Sequence, residues 1–266
     1  MHRERVKQHL DELYARLNRR TYISPDPLQF LYDYKHPADR EIVGLIAATL
    51  AYGRVTQILA SVSNALDRMT RPSTFLAKAT RKKLDATFLG FKHRFTTGDE
   101  MAAMLYGAKL VIEQYGSLGA CFAHGGEAGH ENIIPALTRF VGKLNEGAAG
   151  EAPSLLSDPE KGSACKRLNM YLRWMVRKDE VDPGVWSGVC PSKLLVPLDT
   201  HMFDICSKLG FTERKTADAK AAEEITNAFK TICPEDPVRY DFAITRLGIR
   251  DDMDPTAFIE CCSRAE

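Results

Sequence analysis

Residues 38–69 read "ADREIVGLIAATLAYGRVTQILASVSNALDRM", and how this stretch folds sets the class of the whole chain. Its first half is apolar with no two-residue alternation, so a half-buried strand does not fit. A helix that is apolar all round belongs inside a protein. A joint near Gly53 follows, then a second helix. The same period recurs on both sides. Val6, Leu10, Leu13 and Leu17 fall on one helix face. "TYISPDPLQFLYDYKHP" (21–37) breaks the chain with three prolines, and its aromatic residues pack the N-terminal arm onto the body. "TTGDEMAAMLYGAKLVIEQYG" (96–116) opens with cap-like Thr96 and Thr97 and closes near Gly116. "ENIIPALTRFVGKLN" (131–145) resumes helix with Pro135 near its start, and "ACKRLNMYLRWMVRK" (164–178) is strongly helical. Further helices are expected around 201–209, 216–231, 236–247 and 255–262.

"HGGEAGH" (124–130) reads as a loop, 146–163 as a Gly/Pro/Ser-rich connection and 181–200 as mostly irregular. No convincing strand run, hairpin signal or fixed-period repeat stands out. The expected fold is all-α, a single globular unit of two helical lobes. One lobe is roughly 38–180, and the other is 1–37 plus 190–266.

The 266 residues suffice for such a core, and 44% hydrophobic with 27% charged is ordinary for a globular chain. "MHRERVKQHLDEL" has no apolar signal region, and no apolar run is long enough to span a membrane. A cytoplasmic protein without a membrane partner is expected, acting as a monomer. The seven cysteines form no CxxC pair. A disulfide framework, a structural zinc site and an iron–sulfur cluster are therefore not expected.

The net charge of +1 hides two nearly acid-free basic stretches. One holds Arg71, Lys78, Arg81, Lys82, Lys83, Lys92 and Arg94. The other holds Lys161, Lys166, Arg167, Arg173, Arg177 and Lys178. Solvated helix faces explain most charge runs, yet this asymmetry suits phosphates.

Lys166 sits in the first turn of its helix after a Pro/Gly turn. The helix N-terminus and Arg167 disfavour its ammonium form. An amine so depressed can attack carbon and form a Schiff base; a solvated lysine or a phosphate contact is the plainer reading. Asp199 ends "LLVPLDTH", just before the apolar-periodic "MFDICSKLG". It can cap that helix, or serve as a general base or stabilise cationic charge. His201 is more often a structural hydrogen-bonder than a catalyst.

Taken together, a turn, a helix-borne lysine and "VPLDTHM" (196–202) resemble the helix-hairpin-helix DNA glycosylase superfamily. The wide interval from Lys166 to Asp199 is most similar to the archaeal-type 8-oxoguanine glycosylase/lyases. The resemblance implies that Lys166 attacks the anomeric carbon while Asp199 assists, with Schiff-base formation permitting an AP-lyase step. It implies no cofactor and no metal. The partner would be double-stranded DNA with a damaged purine, 8-oxoguanine favoured. Two departures are visible. "LAYGR" (50–54), ending in Arg54, replaces the family's "LSQQT", and "DPEKGSACKRL" replaces its glycine-rich hairpin.

The backbone of Gly162 and its neighbours Lys161 and Ser163 could still hold a phosphate. Lys82, Lys83, Arg54, Arg167 and Arg173 complete the expected DNA-binding set. Trp186, in the irregular segment, is the candidate for stacking on a flipped base; Trp174 reads as core. Asp241 and Arg246, in "DPVRYDFAITRLGI" (236–249), read as a buried structural pair.

That last stretch, with "EIVGLIAATLAYGRV" (41–55), "CKRLNMYLRWMVRKDEVDPGVW" (165–186) and "VPLDTHM", also resembles a widespread bacterial family known only as a domain of unknown function, DUF2400. That likeness spans most of the chain and implies no activity. Two other readings stay open: a non-catalytic nucleic-acid-binding protein on the same scaffold, and a helical protein-interaction scaffold.

Overall fold

Pro37 starts helix α2 (Pro37–Thr49), where its missing N–H and fixed φ cost nothing. A computed structural model, describing residues 2–126, 129–250 and 252–263, places this helix at the centre. Every residue from Glu41 to Thr49 is buried. Helix α9 (Lys166–Val176) packs along it, as do a 3₁₀ segment (Pro27–Asp33), α3 (Val55–Asp67) and α4 (Pro72–Lys78). The fit against α9 is close. A Cβ on Gly44 would sit 2.9 Å from Met175 Cε.

Over the described residues the fold is all-α apart from one short hairpin, with irregular chain before and after α9. Helix α1 (His2–Leu17) buries Val6, Leu10, Leu13 and Leu17. It packs on α12 (Asp241–Ile249) and α13 (Pro255–Ser263), and α10 (Thr200–Lys208) packs on the same two. Helix α11 is Ala219–Lys230.

Helix α5 (Arg81–Phe88) is capped by Thr80, and α7 (Leu118–His124) by Ser117. Helix α6 (Gly98–Tyr115) begins with a reciprocal capping box between Thr97 and Glu100, which satisfies two otherwise free N–H groups. It ends at Gly116 with φ of 88°, the left-handed stop expected of glycine. Helix α8 (Ile134–Ala148) carries Pro135 in its first turn. Where α6 and α8 cross, Gly107 and Gly147 leave room for backbone contact. A Cβ on Gly107 would fall 2.2 Å from the Leu144 carbonyl oxygen.

The buried apolar side chains form one continuous cluster from Val6 to Cys262. One element has no counterpart in the periodic pattern. A hairpin of two two-residue strands, β1 (Lys92–His93) and β2 (Thr96–Thr97), pairs Lys92 with Thr97 and His93 with Thr96. Among the described residues, no helix is long and apolar enough to cross a membrane.

Candidate nucleic-acid interface

The turn before α9 is built from a 3₁₀ turn (Pro159–Lys161), then Gly162 at φ 78° and Cys165 at φ 45°. Ser163 Oγ accepts from the Cys165 N–H at 3.2 Å, and the Gly162 carbonyl accepts from Ala219 N–H at 3.1 Å. No side chain caps the helix. Lys166 is its first residue and is half-buried, while Lys161, Gly162 and Ser163 are exposed. Lys161 lies 3.9 Å from Asp158.

Arg167 turns inward, which removes it from the expected DNA-contact set. It donates to the carbonyls of Thr49 at 2.5 Å and Ser154 at 2.7 Å, and its guanidinium lies 5.1 Å from the centre of the Tyr52 ring. These contacts hold the end of α2, the 152–157 segment and the start of α9 together. Tyr52 extends this linkage to the hairpin. Its hydroxyl is 2.8 Å from both the His93 carbonyl and Thr96 Oγ1, and Thr96 Oγ1 is 2.9 Å from Ser154 Oγ. His93 is buried beneath the hairpin, with Nδ1 2.8 Å from Ser61 Oγ and Nε2 3.1 Å from the Tyr52 carbonyl. Burial lowers its pKa below the ordinary value.

Asp199 is the N-cap of α10, its Oδ1 accepting from Met202 N–H at 2.9 Å. It stays half-exposed, and His201 is exposed in the following turn. The charge of Asp199 reaches the buried Cys206 and Asp241. Asp241 in turn pairs with Arg173 on α9.

Two further expected site residues are corrected by their surroundings. Arg173 is only 5% exposed. It is held between Asp241 and Asp182, the latter at 3.1 Å, so it cannot reach a phosphate. Arg177 is locked in the same way by Asp182, Asp179 and Asp236. A buried guanidinium is tolerable only with such pairing. Trp186 is also buried, packed among Phe122, Phe140 and Tyr171 with ring centres 5.3–6.2 Å away, so it does not stand out from the irregular segment as an exposed stacking platform. Trp174 is core, as expected. Asp241 and Arg246 are both buried but pair elsewhere, Arg246 with Asp26.

The cations of the other stretch stay outside. Lys82 and Lys83 are exposed on α5, with Arg71 and Lys78 on the same flank. Arg71, Lys78 and Lys83 join Arg68 and Phe75 around a groove of about 400 Å³. Arg81 bridges Asp85 and Glu151, which ties α5 to the segment that Arg167 holds. Arg54 is exposed at the start of α3.

Two features escaped the sequence reading. Glu41 is a buried carboxylate whose Oε1 accepts from Trp186 Nε1 at 2.5 Å and Gly119 N–H at 2.9 Å. Burial raises its pKa. It borders a pocket of about 550 Å³ with His36 and Ser117. A lone acid at the head of the apolar run "EIVGLIAATL" (41–50) was its only signal. The second is the hairpin tip, where the signal was a phenylalanine set among cations in "KHRFTT".

Among the described residues, no group of three or more His, Cys, Asp or Glu side chains is placed to hold a metal. No curated protein and no solved structure matches the chain. A family model does match residues 26–250, most of the chain including both Lys166 and Asp199, and the chain therefore belongs to the family described as "Protein of unknown function (DUF2400)".

Proposed function

We propose that this chain is a DNA base-excision glycosylase with an AP-lyase step, acting on a damaged purine in double-stranded DNA. The observation that carries the reading is Lys166, a half-buried side chain opening an uncapped helix, with Lys161 exposed in the turn before it. Its amine forms a bond to C1′ as the glycosidic bond breaks, and the electron pair leaves with the base, which takes up a proton. Asp199 first takes a proton from the Lys166 ammonium, which frees the amine lone pair for attack, passes a proton to the departing base, and as carboxylate stabilises the oxocarbenium-like charge. Sugar-ring opening then gives a Schiff base, which permits β-elimination. 8-Oxoguanine is the favoured lesion by resemblance, and the chemistry calls for no metal or organic cofactor.

In this reading α2–α9 form one lobe, while α1 and α10–α13 form the other. The lesion enters between them. Lys161, Gly162, Ser163, Lys82, Lys83 and Arg54 contact the backbone, and His201 supports Asp199 from the exposed turn. The protein works as a monomer in the cytoplasm, at the nucleoid.

A panel of lesion-bearing duplexes tests it. Wild type should cleave at least one, and Asp199→Asn should lower that activity by orders of magnitude with folding nearly intact. A wild type inert on the whole panel, or an Asp199→Asn protein of full activity, ends the proposal.

One observation favours a second reading, a non-catalytic nucleic-acid-binding protein. Asp199 already has a structural task, since it caps α10.

A further inference from the structure

Large apolar side chains seldom stand in water on a fixed support. Phe95 does so: it is 75% exposed at the tip of the β1–β2 hairpin. A two-residue hairpin turn commonly needs positive φ at its first central residue, which glycine supplies most easily. Here Arg94 holds that position at φ 51°. Its guanidinium lies 5.5 Å from the Phe95 ring centre. Gly53 sits directly below. A Cβ there would come 2.7 Å from both Cδ and Nη1 of Arg94.

The tip is anchored from inside by Tyr52, His93 and Ser61. Tyr52 is in turn stacked under Arg167, the neighbour of Lys166. An exposed aromatic ring therefore stands on a buttressed support, linked by direct contacts to the start of α9. Lys92 and Arg94 in the hairpin, and Arg54 next to Gly53 in the chain, are all exposed. The nearest acids in sequence are Asp99 and Glu100 in the first turn of α6, and Glu100 is occupied by the N–H groups of Thr97 and Ser154.

We propose that Phe95 is a stacking finger for an unpaired nucleobase, with Arg94, Lys92 and Arg54 holding the flanking phosphates. Aromatic rings bind bases through their faces without regard to sequence, and adjacent cations hold the backbone. Charge complementarity selects nucleic acid over an apolar protein surface as the occupant. The finger rests on the DNA-acting reading above and adds to it the element that meets a base out of its stack. Unlike the glycosylase step, it requires no chemistry.

Two duplexes test it, one fully paired and one with a mismatched, unpaired 2-aminopurine at its centre. Wild type should bind the second more tightly and quench the 2-aminopurine fluorescence. Phe95→Ala should weaken that binding roughly 5- to 100-fold and lose the quenching, while binding of the paired duplex and the melting temperature stay close to wild type. Phe95→Trp should retain both signals. If wild type binds neither duplex, the finger and the DNA-acting reading fall together. If wild type binds and Phe95→Ala keeps the same preference and quenching, the finger alone falls. It also falls if Phe95→Ala changes only the sedimentation of the protein, because the ring then serves a protein contact.

Discussion

Residues 71–94 and 161–178 carry basic side chains at similar density and almost no acids, yet one stretch stays in water and most of the other is buried. In the first stretch Arg71, Lys78, Lys82, Lys83, Lys92 and Arg94 are exposed. In the second, Arg173 and Arg177 lie in the core, Arg167 turns inward, and only its two ends keep cations in water. The difference lies in what each helix packs against. Helix α5 is short and amphipathic, with Leu84 and Phe88 buried, and its charged face meets solvent. Helix α9 is buried along its length from Leu168. Its arginines persist there because acids arrive from elsewhere: Asp182 from nine residues beyond Arg173, Asp236 from 59 beyond Arg177, and Asp241 from 68 beyond Arg173. A run without local acids therefore has two physical outcomes, and long-range partners decide between them.

That contrast can be broken most severely at Arg173. Arg173→Ala leaves Asp241 buried and unpaired and Asp182 with Arg177 alone, which should cost about 3–5 kcal/mol. Urea denaturation measures it, and a loss under about 1 kcal/mol would contradict the buried-network account. The exposed stretch should behave in the reverse manner. Lys82→Ala with Lys83→Ala should leave stability within about 0.5 kcal/mol. It should weaken DNA binding and flatten the log–log salt slope by about 0.9 for each phosphate that the variant no longer neutralises. An unchanged slope would remove α5 from the interface.

The smallest expected effect belongs to Glu41. Burial lifts its pKa above the ordinary 4.5, so the folded chain holds this proton more tightly than the unfolded one. The stabilisation is fully present below the unfolded value and is lost as pH rises through the folded one. Glu41→Gln should abolish that descent while Gly119 and Trp186 keep an acceptor. Unfolding free energies across this pH window check it, and a variant that tracks wild type throughout would refute the assignment.

The helices were legible because their signals are local. Thr97 and Glu100 are three residues apart, Gly116 ends α6, and the unbroken apolar run of α2 has one physical home. Asp199 was legible as a cap for the same reason. The surroundings of Arg173, Arg177 and Trp186 were not, because they depend on residues brought from other elements. Trp186 sits in a segment with no period to show which side faces inward. The hairpin at 92–97 was not legible, since two-residue strands are too short for alternation to register. Its exposed Phe95 is the kind of residue that a core-seeking reading assigns to the interior.

The central claim is that Lys166, unlike the buried arginines of its own helix, meets DNA as a nucleophile. Borohydride added during incubation with a lesion-bearing duplex, followed by peptide mapping, tests it directly. The account predicts one covalent adduct on the peptide containing Lys166, absent from Lys166→Ala. An adduct that forms equally in Lys166→Ala, or none at all on a lesion duplex that the protein binds, would contradict it.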